Sequence, residues 1–262
     1  MDKDKHKETS WQNVHRWYDD LVGEGGHYYH EKIIFPNTLR LLGLKKESRL
    51  LDLACGQGVL SRQIPPDVDY VGVDLAANLI QAAKSYAKAD SKRKFFIGDI
   101  TQSLPIPKEP LFSHATCILA IQNIAQPAEV FKQARQHLLP KGGKLLLCLN
   151  HPSFRIPRQS AWGFDEATKI QYRRENGYMS AQKIPIEAHP GTGKGKVERE
   201  TTTTWSFHFP LSAYSLWLKQ NGFTIELIEE WCSDKVSTGG AAKWENRARQ
   251  EFPLFLTILA TL

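Results

Sequence analysis

The chain has 262 residues, 41% of them hydrophobic, which suffices for one full-sized core but not for a second independent domain. Its net charge of +6 and pI near 9.0 come from basic groups (Lys92-Arg93-Lys94, Arg155 with Arg158, Arg173-Arg174, Lys194 with Lys196 and Arg199) that acids punctuate, so they read as solvated surface rather than a nucleic-acid face. No apolar run reaches the roughly 20 residues of a membrane helix and the first residues lack a signal peptide's apolar stretch, so a cytoplasmic protein is expected.

Residues 11–44 have helical spacing in two parts, divided near Gly23 to Gly26, and are dense in rings: Trp17-Tyr18-Asp19-Asp20 and His27-Tyr28-Tyr29-His30. Such rings either pack on the core or cover a site. Next comes Leu50-Leu51-Asp52-Leu53-Ala54-Cys55-Gly56-Gln57-Gly58, an apolar run ending in a small-residue turn and followed by helix-permissive sequence. It predicts a strand-loop-helix unit whose glycines let the backbone approach a ligand closely. The following run, Tyr70-Val71-Gly72-Val73-Asp74, ends in a carboxylate. In a parallel α/β sheet both run ends lie on the edge where nucleotide-like ligands bind, and an acid at the second tip can accept from both ribose hydroxyls. Ser61 stands where a dinucleotide fingerprint needs a third small residue, and Asp52 would repel a phosphate while suiting an ammonium or sulfonium charge.

Residues 77–86 predict a helix, which Asp74 could cap. Phe95-Phe96-Ile97-Gly98-Asp99-Ile100 reads as a third strand ending in an acid, and residues 116–121 as a fourth, leading into Gln122-Asn123-Ile124. Residues 128–139 repeat with helical spacing, and Leu138-Leu139-Pro140-Lys141-Gly142-Gly143 stops that helix before the strand 144–149. Three acids converging on one sheet edge would be costly unless a ligand or water satisfied them. Cys55, Cys117, Cys148 and Cys232 show neither metal-ligand nor disulfide-scaffold spacing, so reduced thiols and no metal are expected.

Residues 150–200 open with Asn150-His151-Pro152-Ser153-Phe154-Arg155 and include Gly191-Thr192-Gly193-Lys194-Gly195-Lys196, whose spacing fails that of a phosphate loop. His151 lies at the end of the fifth strand, where imidazole could take a proton from an acceptor or merely satisfy a backbone group. Residues 201–209 alternate as a half-buried strand. A helix follows from Pro210 to Gln220 with Asn221-Gly222 as its stop; residues 223–231 and 253–262 read as strands, with a short helix around 241–250.

The glycine turn, the acids at 74 and 99, and the Leu-Leu-Pro-Lys-Gly-Gly turn occur in an order that resembles class I S-adenosylmethionine-dependent methyltransferases, in particular a bacterial subgroup carrying Asn-His-Pro-x-Phe-Arg after the fifth strand. The resemblance implies an α/β, Rossmann-like, doubly wound seven-stranded sheet of order 3-2-1-4-5-7-6, with strand 7 antiparallel. It divides one domain, 1–262, into an N-terminal helical lid (1–44), a cofactor-binding half (45–150), a substrate insertion (151–200) and the rest of the sheet (201–262). S-adenosylmethionine would lie against Asp52, Ala54, Cys55, Gly56, Gly58, Leu75 and Leu119, with Asp74 at the ribose and Asp99 and Ile100 at the adenine. His151, His30 and Tyr18 are the candidate bases. The expected acceptor is a small molecule, handled by a monomer or homodimer. RNA modification and a non-catalytic cofactor-binding module are the alternatives. Gln122-Asn123-Ile124 stands where enzymes methylating exocyclic amines of nucleic acids carry Asn/Asp-Pro-Pro-aromatic, which disfavours base methylation.

Overall fold

A computed structural model describes residues 27–88, 90–187 and 203–262. Tyr18, Trp17 and the loop tip at 191–196 lie outside these residues. The first described element is a helical segment, His30–Ile34, continuing into α1 (Phe35–Leu42), with Pro36 in its first turn and Gly43 closing it at φ 56°. Five parallel strands follow: β1 (Arg49–Leu53), β2 (Asp69–Asp74), β3 (Arg93–Ile97), β4 (His114–Ile118) and β5 (Lys144–Asn150). Helix α2 (Ala77–Ala87) joins β2 to β3, and α3 (Pro127–His137) joins β4 to β5.

After β5 the chain forms two hairpins outside the main sheet, β6 (Ser160–Asp165) with β7 (Ile170–Glu175), and β8 (Gln182–Glu187) with β9 (Thr203–His208). Helix α4 (Leu211–Gln220) starts after Pro210 and stops at Gly222, φ 80°. β10 (Thr224–Trp231), α5 (Ala242–Glu251) and β11 (Phe255–Thr261) complete the chain. The main sheet runs β3-β2-β1-β4-β5-β11-β10, with β11 antiparallel to both neighbours. This is the expected order once the two hairpins are counted.

The structure refines two local expectations. The helix expected after the glycine turn is only a 3-10 turn, Leu60–Arg62, because Pro65 and Pro66 follow within one turn, where proline removes a donor and restricts the residue before it. The strand read at 201–209 pairs with β8 rather than with the main sheet, so the inserted unit runs through His208. The β6–β7 hairpin leans on α5 through rings: Phe164 to Trp244 at 5.1 Å and Trp162 to Phe252 at 5.3 Å.

Alternation along each strand feeds two apolar layers. Leu51, Leu53, Val71, Val73, Ala115, Cys117 and Leu147 face α3 and α4, burying Val130, Phe131, Tyr214 and Leu218. Leu50, Tyr70, Leu146 and Cys148 face α1 and α2, burying Ile34, Phe35, Leu42 and Ile80. Asp52 and Gly72 fall on this second face and are register partners. A Cβ on Gly72 would lie 2.7 Å from the Cys55 sulfur and 3.0 Å from the Phe95 ring, so a glycine here lets the β1 turn rest on β2. Gly72→Ala is therefore expected to lower unfolding free energy by about 1–3 kcal/mol through overpacking. Urea titration checks this; an unchanged midpoint would show that the turn yields freely.

Candidate cofactor and acceptor site

The edge at the carboxyl ends of the parallel strands gathers most of the predicted residues. Ala54, Gly56 and Gly58 have φ of 60°, 56° and 70°, and these left-handed residues fold the β1 turn back so that the Cys55 N–H reaches the Val73 carbonyl at 3.1 Å. The turn closes on itself from the Gly58 N–H to the Cys55 carbonyl, 3.0 Å. Asp74 at the tip of β2 holds it from the side: Oδ2 accepts from the Gly56 N–H and Oδ1 from the Ala76 N–H, both at 2.8 Å, and the Leu75 N–H also favours its charge. Burial raises the Asp74 pKa, and these N–H groups oppose the rise.

Asp99 lies one strand further along. Its Oδ1 accepts from the Thr101 N–H at 2.8 Å and the Thr101 hydroxyl at 2.7 Å, shaping the loop that buries Ile100. Leu119, just past β4, has φ 50°, an unusual conformation for a branched side chain, fixed by its N–H on the Cys148 carbonyl (2.7 Å) and by Gln122 Nε2 donating to its own carbonyl (2.8 Å).

Asp52 sits beneath the turn rather than in its mouth. It is 3% exposed, and its carboxylate accepts from the Tyr70 hydroxyl (2.6 Å) and the Thr116 hydroxyl (2.8 Å). Strand register explains both contacts: Thr116 is the direct partner of Asp52 on β4, and Tyr70 lies two residues before its partner on β2. Tyr70 and Thr116 went unnoticed in the sequence, although Tyr70 shares the alternation of Gly72 and Asp74. Burial pushes the Asp52 pKa up to about 6 against the pull of the two hydroxyls, with the Asp74 charge adding to the rise. Burial chiefly, then Asp74 and Asp52, also raise the Cys55 thiol well above its usual range, which favours the protonated form.

The candidate bases are placed differently. His151 is buried, and its Nδ1 accepts from the Ser153 N–H at 3.2 Å and the Phe154 N–H at 3.4 Å. The proton therefore sits on Nε2, which donates to Glu230 Oε1 at 2.6 Å. Burial lowers its pKa against the pull of Glu230. With both ring nitrogens engaged, the imidazole ties the end of β5 to β10 in the manner of a strand cap; a lone pair for an acceptor would become available only if Nδ1 gave up the Ser153 and Phe154 N–H groups. His30 packs against Phe35 at 5.3 Å, and its buried Nδ1 has no hydrogen-bond partner among the described residues. Burial, aided by His27, holds its pKa at about 4, so it is neutral but a weak base. Among the described residues no group of three or more His, Cys, Asp or Glu could hold a metal ion, and no helix is long and apolar enough to cross a membrane. All four cysteines are free thiols.

A doubly wound sheet whose carboxyl edge carries a left-handed glycine turn braced by an acid defines a nucleoside-binding α/β protein. Comparison with known proteins makes this specific: the chain belongs to the methyltransferase-domain family, whose model, described as "Methyltransferase domain", matches residues 26–228. Demethylmenaquinone methyltransferase of Staphylococcus aureus is 24% identical over 153 residues, 57% of this chain and 62% of the relative, so the match spans less than two thirds of that protein's length. In fold the chain is similar to an S-adenosylmethionine dependent methyltransferase from Mesorhizobium loti (TM-score 0.63, 22% identity, 86% of this chain and 96% of that one). It is also similar to the glycopeptide N-methyltransferase MtfA complexed with S-adenosyl-L-methionine (TM-score 0.56, 15% identity, 86% and 92%).

Two outcomes follow from this geometry. The folded-state pKa of Asp52 lies above the unfolded value, so the folded chain binds the proton more tightly and loses stability as pH rises from about 4 to about 6. Asp52→Asn removes that loss: variant stability minus wild-type stability should grow by about 2–3 kcal/mol between pH 4 and pH 7. A flat difference in urea titrations across this range would show that Asp52 titrates normally. His151→Ala should cost about 1–3 kcal/mol, because two backbone N–H groups lose their acceptor; thermal denaturation with no loss of stability would remove the capping role.

Proposed function

We propose that the chain is an S-adenosylmethionine-dependent methyltransferase that transfers the methyl group to a small-molecule acceptor by in-line displacement. The observation that carries this reading is the glycine turn braced by Asp74 at the open edge of the sheet. Family membership supports it, as do the S-adenosyl-L-methionine bound by the MtfA neighbour and the name of the Staphylococcus aureus relative.

The residues present fit such a cofactor. The left-handed turn at Ala54, Cys55, Gly56 and Gly58 brings backbone rather than side chains to the edge. Each Asp74 oxygen is bonded to one backbone N–H and retains a lone-pair direction, the requirement for receiving ribose hydroxyls. Leu75 follows at the ribose side, and Asp99, Ile100 and Leu119 would flank the adenine. Asp52, behind the turn, contributes negative charge that favours a cation nearby once it ionises. When bound, the cofactor supplies a methyl group already activated on a sulfonium.

The protein's remaining task is alignment: to hold an acceptor atom about 3 Å from that methyl with its lone pair in line, and to exclude water. Gln122, just after β4, and Asn150, the last residue of β5, border the space beside Leu119 where that acceptor would lie. A larger cleft lined by Thr101, Gln102, Trp217 and the start of α3 contains no residue of the glycine turn and not Asp74, so it lies outside this reading.

Asp74→Ala should weaken S-adenosylhomocysteine binding about ten- to a hundredfold, the loss of a charged hydrogen-bond partner, in a variant that still unfolds cooperatively. Calorimetric titration measures it, with NAD as the control that should not bind. Unchanged affinity would remove Asp74 from the site, and tight NAD binding would overturn the cofactor assignment. Tritiated methyl transfer into cell extract, sorted into metabolite, RNA and protein pools, tests the acceptor class; label confined to RNA or protein would overturn the small-molecule reading.

A further inference from the structure

Among the described residues, Arg155 has a guanidinium whose hydrogen-bonding capacity the fold leaves unused. It lies half-buried just beyond β5, its guanidinium carbon 6.0 Å from the centroid of the Phe255 ring, which in turn meets the Tyr29 ring at 5.7 Å. Among the described residues its side chain has no hydrogen-bond or ion-pair partner. A guanidinium cannot shed its proton to escape burial, so an unpaired one is costly until an anion arrives. Burial works against its charge, and Tyr29 is the group that favours it.

The space that Arg155 borders has the matching character. It is a cavity of about 30 Å³ lined by Gln122, Asn150, Ser206 and His208 among apolar residues, and among the described residues no acid lines it. Two of the polar groups are oriented by the protein itself: Gln122 Nε2 donates to the Leu119 carbonyl at 2.8 Å, and His208 Nε2 to the Tyr178 carbonyl at 2.7 Å. Gln122 Oε1 is buried without a partner among the described residues, an acceptor beside the cavity that a ligand's donor could satisfy. Through Gln122 the cavity adjoins Leu119, so it lies next to the expected cofactor position.

Resting on the methyltransferase reading above, we propose that Arg155 binds a carboxylate on the methyl acceptor and so selects anionic small molecules. Charge matching favours a carboxylate over a phosphate. The neighbouring Arg173 spends its guanidinium on the Phe154 carbonyl and the Ser160 hydroxyl, both at 2.8 Å, and stacks on Trp162 at 5.0 Å. Arg155 is the one Lys or Arg among the described residues lining the cavity and balances a monoanion, whereas a phosphate dianion would leave a charge uncompensated in a half-buried site. The small cavity accepts a head group of this size, with the rest of the molecule toward the open edge.

The test uses the full chain saturated with S-adenosylhomocysteine and follows binding of 3-phenylpropionate by ligand-observed NMR, beside neutral 3-phenylpropionamide and 2-phenylethyl phosphate. The wild type should bind the carboxylate in preference to both. Arg155→Gln should weaken it at least tenfold while leaving S-adenosylhomocysteine affinity within about twofold, and Arg155→Lys, with the charge but not the planar fork, should fall between. Equal carboxylate binding by wild type and Arg155→Gln, absence of binding to the wild type, or preference for the amide or the phosphate would each overturn the proposal. Should Arg155→Gln fail to fold, the wild-type carboxylate-to-amide preference and the Arg155→Lys affinity decide. If S-adenosylhomocysteine itself does not bind, the cofactor assignment fails, and the carboxylate titration repeated without it still judges Arg155.

Discussion

Two backbone N–H groups, from Gly56 and Ala76, end on the single carboxylate of Asp74, and the architecture of the site edge depends on that convergence. The glycine turn leaves β1 with three left-handed residues in five, a conformation with little stability of its own. The bond from Gly56 ties it to the tip of β2, and the bond from Ala76 fixes where α2 begins. A charged acceptor suits this task, because each such bond is stronger than one to a neutral group and the carboxylate retains acceptor capacity toward the edge. The same atoms thus brace the turn and would receive a nucleoside.

Beneath that brace, the sheet register governs the electrostatics. Asp52 is brought beside Thr116 and diagonal to Tyr70, so its charge is buried but hydrogen-bonded on both oxygens. The missing side chain at Gly72 opens the space that the Cys55 sulfur fills. Together these form a compact stack, from carboxylate to thiol to turn, in which little can be enlarged without moving the backbone that a ligand would touch.

On the acceptor side the inserted hairpins and the last two strands supply the walls. His151 and Glu230 join the end of β5 to β10, and Phe154, Trp162 and Phe252 pack the β6–β7 hairpin onto α5. These contacts fix the segment that carries Arg155. The glycine-turn edge is built from the parallel scaffold, whereas the proposed acceptor edge is built from chain added to it, a division of labour usual in folds that keep one chemistry and vary its substrate.

The sequence by itself determined the strands of the main sheet, their two-faced alternation and the turn chemistry, but not β6, β7 and β8, because the former are local: residue spacing sets which side chains share a face, and glycine and proline dictate where the chain bends. On that basis the glycine turn, Asp74 and Asp99 were legible, and the resemblance supplied the strand order that the structure shows. Contacts across long separations were not legible. Asp52 meets Thr116 across 64 residues and His151 meets Glu230 across 79, and only these partners show that the first acid is buried under the turn and that the imidazole ties β5 to β10. The same holds for the pairing of β9 with β8 and for Arg155, which has no hydrogen-bond or ion-pair partner among the described residues. Local pattern says that a side chain is charged; only the packed tertiary structure says which charges find partners, since pairing and burial are properties of what surrounds a residue in space.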